Sequence, residues 1–338
     1  MEQYLPIIWA ALIGTAVVLY VILDGFDLGM GILFPTTRDE RERDQMMNSV
    51  APFWDGNETW LVLGGGGLWV AFPKAYAVIM PGLYLPVIVM LLALIFRGVS
   101  FEFRWVAKPN HRLWDIAFAG GSIVAAFAQG VILGGLLEGI KVVDGSFAGG
   151  PFDWLTPFTV LCGLGLVAGY GLLGAAWLMM RTEGATAAHA RRLARPLLIA
   201  VACFAVAVSL YTPYALPRIA DRWFTMPNIL FLWPLPLATA ILGLGVWRGI
   251  TRAETRTGVV MPFACTIGIF LLCFVGLVVS NFPYLVPTSM TLWEAAAAPA
   301  SQIFMILGTI FLLPLILAYS VFVYWTFRDR LKEGEGYH

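Results

Sequence analysis

Long apolar runs broken by short polar stretches fill most of this chain, and the length of the runs decides what they form. A helix rises about 1.5 Å per residue, so roughly 20 apolar residues cross a hydrocarbon layer about 30 Å thick. Nine runs are of that order, at 6–34, 52–72, 75–97, 114–140, 157–181, 196–214, 227–247, 259–283 and 300–327. The pattern predicts an all-α fold, a polytopic membrane helical bundle of about nine transmembrane helices in one integral membrane domain. Only Pro73 and Lys74 separate the second and third runs, which predicts a tight antiparallel pair. A first four-helix bundle is expected over 1–140, a second over 141–283, and a ninth helix with a tail over 284–338.

Basic residues orient the bundle, because loops rich in Lys and Arg stay in the cytoplasm. Alternate connections and the tail carry 17 of the 21 Lys and Arg, among them Arg38, Arg41, Arg43, Arg97, Arg104 and Lys108. The opposite side holds four, Lys74, Lys141, Arg218 and Arg222. This places the N-terminus outside and the C-terminus in the cytoplasm. Met1 to Leu5 lacks Lys and Arg, and no small-residue cleavage site interrupts the run from Pro6 to Leu23, so the first helix is expected to be retained.

Composition agrees with the pattern. Of 338 residues, 59% are hydrophobic and only 12% charged, more apolar surface than a soluble core of that length uses. A net charge of zero gives no field that argues for nucleic acid. The loops are short, so chemistry belongs to the bundle or its surface. Cys162, Cys203, Cys265 and Cys273 lie in apolar runs without C-x-x-C spacing, which argues against a disulfide, iron-sulfur or zinc framework and predicts small buried core residues. His111, His189 and His338 all fall in expected loops or the tail, so no span offers imidazole to a haem iron and none is expected to be bound by this chain's own ligands.

The acids change the picture most. Asp24 and Asp27 lie three apart near the end of the first span, and Asp55 and Glu58 three apart at the start of the second. Residues at that spacing share a helical face, and ionisable groups at membrane depth usually serve a path or a partner. With the N-terminus outside, the four converge at one depth on the cytoplasmic side, and Glu102 adds a fifth at the rim. Such a chain can pass protons inward, since desolvation favours the neutral carboxyl. The alternative is structural: helix capping, or pairing with arginines such as Arg97 and Arg104. Gly64 to Gly67 in the second span suits close helix packing more than a ligand. Trp60 lies just past Asp55 and Glu58, deeper than the tryptophans near span ends.

Three stretches carry a resemblance. D-G-F-D-L-G at Asp24 to Gly29, N-S-V-A-P-F-W-D-G-N-E-T-W-L at Asn48 to Leu61, and F-R-G-V-S-F-E-F-R at Phe96 to Arg104 resemble signatures of subunit II of cytochrome bd-type quinol oxidases. The glycine-rich continuation is closer to the cyanide-insensitive branch. The resemblance covers the first 105 residues specifically and the remainder in length and hydropathy.

It implies an accessory subunit of an enzyme of the bacterial cytoplasmic (inner) membrane that oxidises quinol and reduces dioxygen to water. It is electrogenic without proton pumping: water formation takes protons from the cytoplasm while quinol releases its own outside. The partner, subunit I, is implied to hold two b-type haems and haem d. A small single-span subunit and a structural quinone or lipid are further implied partners. Asp55 and Glu102 match acids on the family's proton path, to which Asp27, Glu58 and Asp24 add, and Trp60 matches a residue near a dioxygen entrance. A lysine that some members carry four residues after the second acid is here Val106, with Lys108 two further on.

Two other classes compete. A proton-coupled secondary transporter would use the acids as coupling sites, although such folds show broken helices in matching halves and here the acids sit in the first third. A pure scaffold would tolerate replacement of every acid.

Overall fold

The computed structural model describes residues 2–252 and 255–331. After a short 3-10 turn the chain forms α1 (Leu5–Leu33), a short surface helix α2 (Glu40–Asn48), α3 (Trp54–Ala71), α4 (Pro73–Val106), α5 (Arg112–Glu138), α6 (Pro157–Arg181) and α7 (Gly184–Ala215). Then follow α8 (Pro217–Phe224), α9 (Asn228–Leu232), α10 (Pro234–Thr251), α11 (Arg256–Asn281), α12 (Leu292–Ala295) and α13 (Pro299–Thr326). Two small antiparallel hairpins, Val142–Val143 with Ser146–Phe147 and Tyr284–Val286 with Met290–Thr291, decorate connections.

Among the described residues, eight helices are long and apolar enough to cross a membrane. The expected nine runs all fold as helices, and the one outside that eight is α3. Its 18 residues contain Asp55, Asn57, Glu58 and five glycines, which dilute its apolarity.

Three boundaries depart from the sequence reading. The third run does not stop at 97: α4 has 34 residues, about 51 Å at the usual rise, and outruns a bilayer core. Phe96 to Arg104 is therefore helical, and Arg97 is a buried residue of a span and not a loop charge. Pro81 and Pro86 lie inside this helix, and Leu83 between them takes non-helical angles, the kink expected where proline removes a ladder donor. The sixth run begins earlier, at Gly184, so His189, Arg191, Arg192 and Arg195 ride on helix. The seventh is split between Leu232 and Pro234, where proline again ends one helix and opens the next.

The core sits where α1 meets α5 and α6. At the α1–α6 crossing Gly29 lies against Gly174: a Cβ on Gly29 would land on the Tyr170 carbonyl oxygen and 2.8 Å from Gly174 Cα. Small residues let backbones approach this closely, which is how apolar helices gain contact in lipid. Around the crossing Phe26 stacks on Trp177 with ring centroids 4.1 Å apart, and Phe53 stacks on Tyr324 at 4.5 Å. Of the four consecutive glycines of α3, Gly64 and Gly67 approach Val17 and Ile13 of α1, whereas Gly65 and Gly66 face open space. Cys203 and Cys273 are exposed, because α7 and α11 turn much of their surface outward, whereas Cys162 and Cys265 are half-buried and pack against the core.

Candidate functional site

Three of the expected acids meet on one guanidinium. Arg97, fully buried on α4, places Nη1 2.9 Å from Asp24 Oδ1 and 2.8 Å from Glu58 Oε1, and Nη2 3.8 Å from Asp27 Oδ2. Asp24 and Asp27 are themselves completely buried, whereas the Glu58 side chain is 27% exposed. The local reasons are simple: the i, i+3 spacing sets Asp24 and Asp27 on the face α1 turns to α3 and α4, and Glu58 is in the second turn of α3. Sequence reading offered Arg97 as a pairing partner and also counted it as a loop charge; the structure keeps the first role.

The cluster is wider than the acids. Asn57 Nδ2 donates to Asp27 Oδ2 at 2.7 Å, and Tyr324 Oη on α13 donates to Asn57 Oδ1 at 2.9 Å. On the other side Tyr20 faces Asp24 one turn along α1, Gln129 Nε2 donates to Tyr20 Oη at 2.7 Å, and Tyr170 Oη donates to Gln129 Oε1 at 2.8 Å. Tyr20, Gln129, Tyr170 and Tyr324 were not read as site residues from sequence. The signal that could have found them is a polar side chain inside an apolar run, which in lipid needs a partner.

Asp55 and Glu102 are both exposed and lie outside this cluster. The Trp54 ring stacks on Phe101 at 5.0 Å, which brings the segments carrying the two acids side by side on the α3–α4 surface. Charges at such positions are costly against lipid, so the face suits cover by protein or a polar boundary. Trp60 is enclosed, 1% exposed, and packs from the inner side of α3 against Ala16 and Tyr20 of α1.

A second ionic group ties α2 to the end of α4. Arg104 Nε bonds Asp115 Oδ1 at 2.6 Å, its Nη1 reaches Asp44 at 2.5 Å and its Nη2 reaches Glu40 at 2.8 Å. Lys108 Nζ sits 2.8 Å from Asp44 and over the Trp105 ring, and Arg43 adds a 3.0 Å bond to Asp115. Glu40, His111 and Asp115 bring ligand atoms within 4.8 Å of one another, but the same carboxylates already carry Arg43 and Arg104, which oppose a cation there. The other described histidine, His189, bonds Thr36 Oγ1 at 2.8 Å; His338 lies outside the described residues.

A bundle of apolar helices that encloses an acid-arginine cluster and keeps further acids on one face defines a multi-pass membrane protein with ionisable groups inside its helices. Comparison with known proteins narrows this. Residues 5–327 match the family model described as cytochrome bd terminal oxidase subunit II. The chain is 29% identical to cytochrome bd-I ubiquinol oxidase subunit 2 of Escherichia coli (strain K12), over 98% of this chain and 97% of that one. It is 30% identical to cytochrome bd ubiquinol oxidase subunit 2 of Bacillus subtilis (strain 168), over 97% of each. The fold is similar to the bd oxidase structure from Geobacillus thermodenitrificans, with a TM-score of 0.77 at 16% identity, over 96% of this chain and 99% of that chain.

This chain belongs to the cytochrome bd terminal oxidase subunit II family. It is thus the accessory subunit of an oxidoreductase complex whose haems belong to the partner subunit I.

Proposed function

We propose that this subunit takes protons from the cytoplasm and holds them for oxygen reduction at the haems of subunit I, with quinol as the electron donor of the complex. One observation carries the reading. A single guanidinium faces three carboxyls, two of them fully buried, so full ionisation would leave two negative charges uncompensated in a low-dielectric interior. Such a group is neutral only when it holds protons, and Glu58 connects it to the surface.

Asp55 and Glu102, exposed on the α3–α4 face, stand where protons are collected or handed on. The charge bias of the loops supports an N-terminus outside and a C-terminus in the cytoplasm of the bacterial inner membrane. The relatives' names, ubiquinol oxidase subunit 2, support quinol oxidation by the complex; two b-type haems and haem d in subunit I follow from the family resemblance alone. The partner supplies electron transfer and oxygen chemistry; this chain's residues bind, orient and release protons.

The test is Asp55→Asn in the assembled complex. Oxygen reduction should slow by roughly 10²-fold or more, the scale of a lost proton-transfer group, while haem content and quinol binding survive. Near-normal turnover with normal assembly would remove the proton role. Uptake of a solute by the chain reconstituted alone would favour a transporter.

A further inference from the structure

Two hydrogen-bonded arms run toward the buried acids, one as far as Asp27 and one as far as Tyr20 beside Asp24, and each passes through a carboxamide. In one, Tyr170 donates to Gln129 at 2.8 Å and Gln129 donates to Tyr20 at 2.7 Å, with Tyr20 facing Asp24. In the other, Tyr324 donates to Asn57 at 2.9 Å and Asn57 donates to Asp27 at 2.7 Å. In both, the hydrogens point toward the acids.

A phenol both accepts and donates through one oxygen, so it can relay a proton. A carboxamide accepts on oxygen and donates from nitrogen, and neither atom titrates in neutral water, so a proton chain stops there. The first arm ends besides in Tyr170, which is completely buried under Phe270. The second ends in Tyr324, which is only half-buried and stacks on Phe53, so Asn57 is what separates Asp27 from that side. Among the described residues, the remaining side chains bound to Asp24 and Asp27 come down to Arg97, which keeps its protons. Arg97 Nη1 is shared between Asp24 and Glu58, and of the three acids only Glu58 reaches the surface.

We infer that Asp24, Asp27 and Arg97 form a closed proton store with a single mouth at Glu58, sealed by the carboxamides of Asn57 and Gln129. This rests on the proton-holding reading above and deepens it. A proton crosses between the Glu58 and Asp24 carboxyls where both meet Arg97 Nη1, one carboxyl losing what the other gains while the guanidinium keeps its own protons, and it leaves by the reverse step. The store buffers the α3–α4 face; it is not a passage through the subunit. A purely structural role for Asn57 and Gln129 predicts lost stability on substitution, with no change in carboxyl proton exchange.

The experiment follows the carboxyl C=O stretch of the intact complex by rapid-mixing infrared spectroscopy on transfer to D2O. Asp24→Asn and Asp27→Asn assign the buried bands. Glu58→Gln should slow their exchange by about 100-fold. Tyr324→Phe and Tyr170→Phe should leave it at the wild-type rate, and Asn57→Asp in the Glu58→Gln background should restore it through Tyr324. Exchange slowed by Tyr324→Phe or Tyr170→Phe, or unslowed by Glu58→Gln, would overturn the single mouth while the cluster still holds protons. The tyrosine variants decide this even if Glu58→Gln fails to assemble. A wild-type complex with no exchanging band that the aspartate variants remove would instead sink the proton-holding reading itself.

Discussion

Removing the guanidinium should be the most damaging single change in the acid cluster. Arg97→Met keeps most of the side-chain volume but leaves Asp24 and Asp27, both completely buried, and Glu58 without their common cation at 2.9, 3.8 and 2.8 Å. Breaking a buried ionic group by deleting one partner costs about 3–5 kcal/mol, because the orphaned charge keeps its desolvation penalty. Against a typical stability of about 5–15 kcal/mol that is a large fraction. The assay is the thermal midpoint and yield of the complex in nanodiscs, with the partner's visible spectrum as the measure of assembly.

A companion variant separates charge from packing. Replacing a whole buried ionic group by neutral residues of similar size is often close to neutral. Arg97→Met combined with Asp24→Asn and Asp27→Asn should therefore recover more than half of the loss. Wild-type stability in Arg97→Met alone would refute the electrostatic account. A combined variant no better than the single one would show that packing, and not charge, sets the cost.

Three further outcomes are expected. Gly29→Ala places a Cβ onto the Tyr170 carbonyl and Gly174 backbone and should destabilise by about 1–3 kcal/mol, whereas Gly65→Ala meets nothing within 4 Å and should be neutral or stabilising in the isolated chain; unfolding of both in detergent checks the contrast. Arg218→Met removes bonds to the carbonyls of Leu137 at 2.6 Å and Ser280 at 3.4 Å and to Asn281 at 3.1 Å, and should lower amide protection at the ends of α5 and α11 by about 1.5–3 kcal/mol. Outside the spans, Thr291 donates its backbone N–H and hydroxyl to Glu294 and holds that carboxyl below its ordinary range. The depressed value means the cap is fully present above the unfolded glutamate pKa of about 4.3 and is lost as pH falls through the folded one, so amide protection over Leu292–Ala295 should fall only in acid, and not in Glu294→Gln.

The apolar runs alone determined the class of fold. In lipid every backbone polar group must be paired within its own segment, so a run of that length has little choice but helix. Asp24, Asp27 and Glu58 were legible as site candidates for a related reason: a carboxyl in an apolar run is too costly to be incidental. What the runs could not give was partnership. Arg97 lies at the edge of a run and reads equally as a loop charge, and only the continuation of α4 to Val106 shows it to be the centre of the cluster. Gln129, Tyr170 and Tyr324 come from spans 41 to 267 residues away from the atoms they bond, a proximity that no local pattern encodes. The separation of Asp55 and Glu102, outward, from Asp24 and Asp27, inward, likewise depended on how each helix rotates about its axis. That rotation is set by packing against neighbours, for α1 at the Gly29–Gly174 crossing and for α3 and α4 by contacts such as Trp54 on Phe101, since lipid offers apolar side chains no preference of its own.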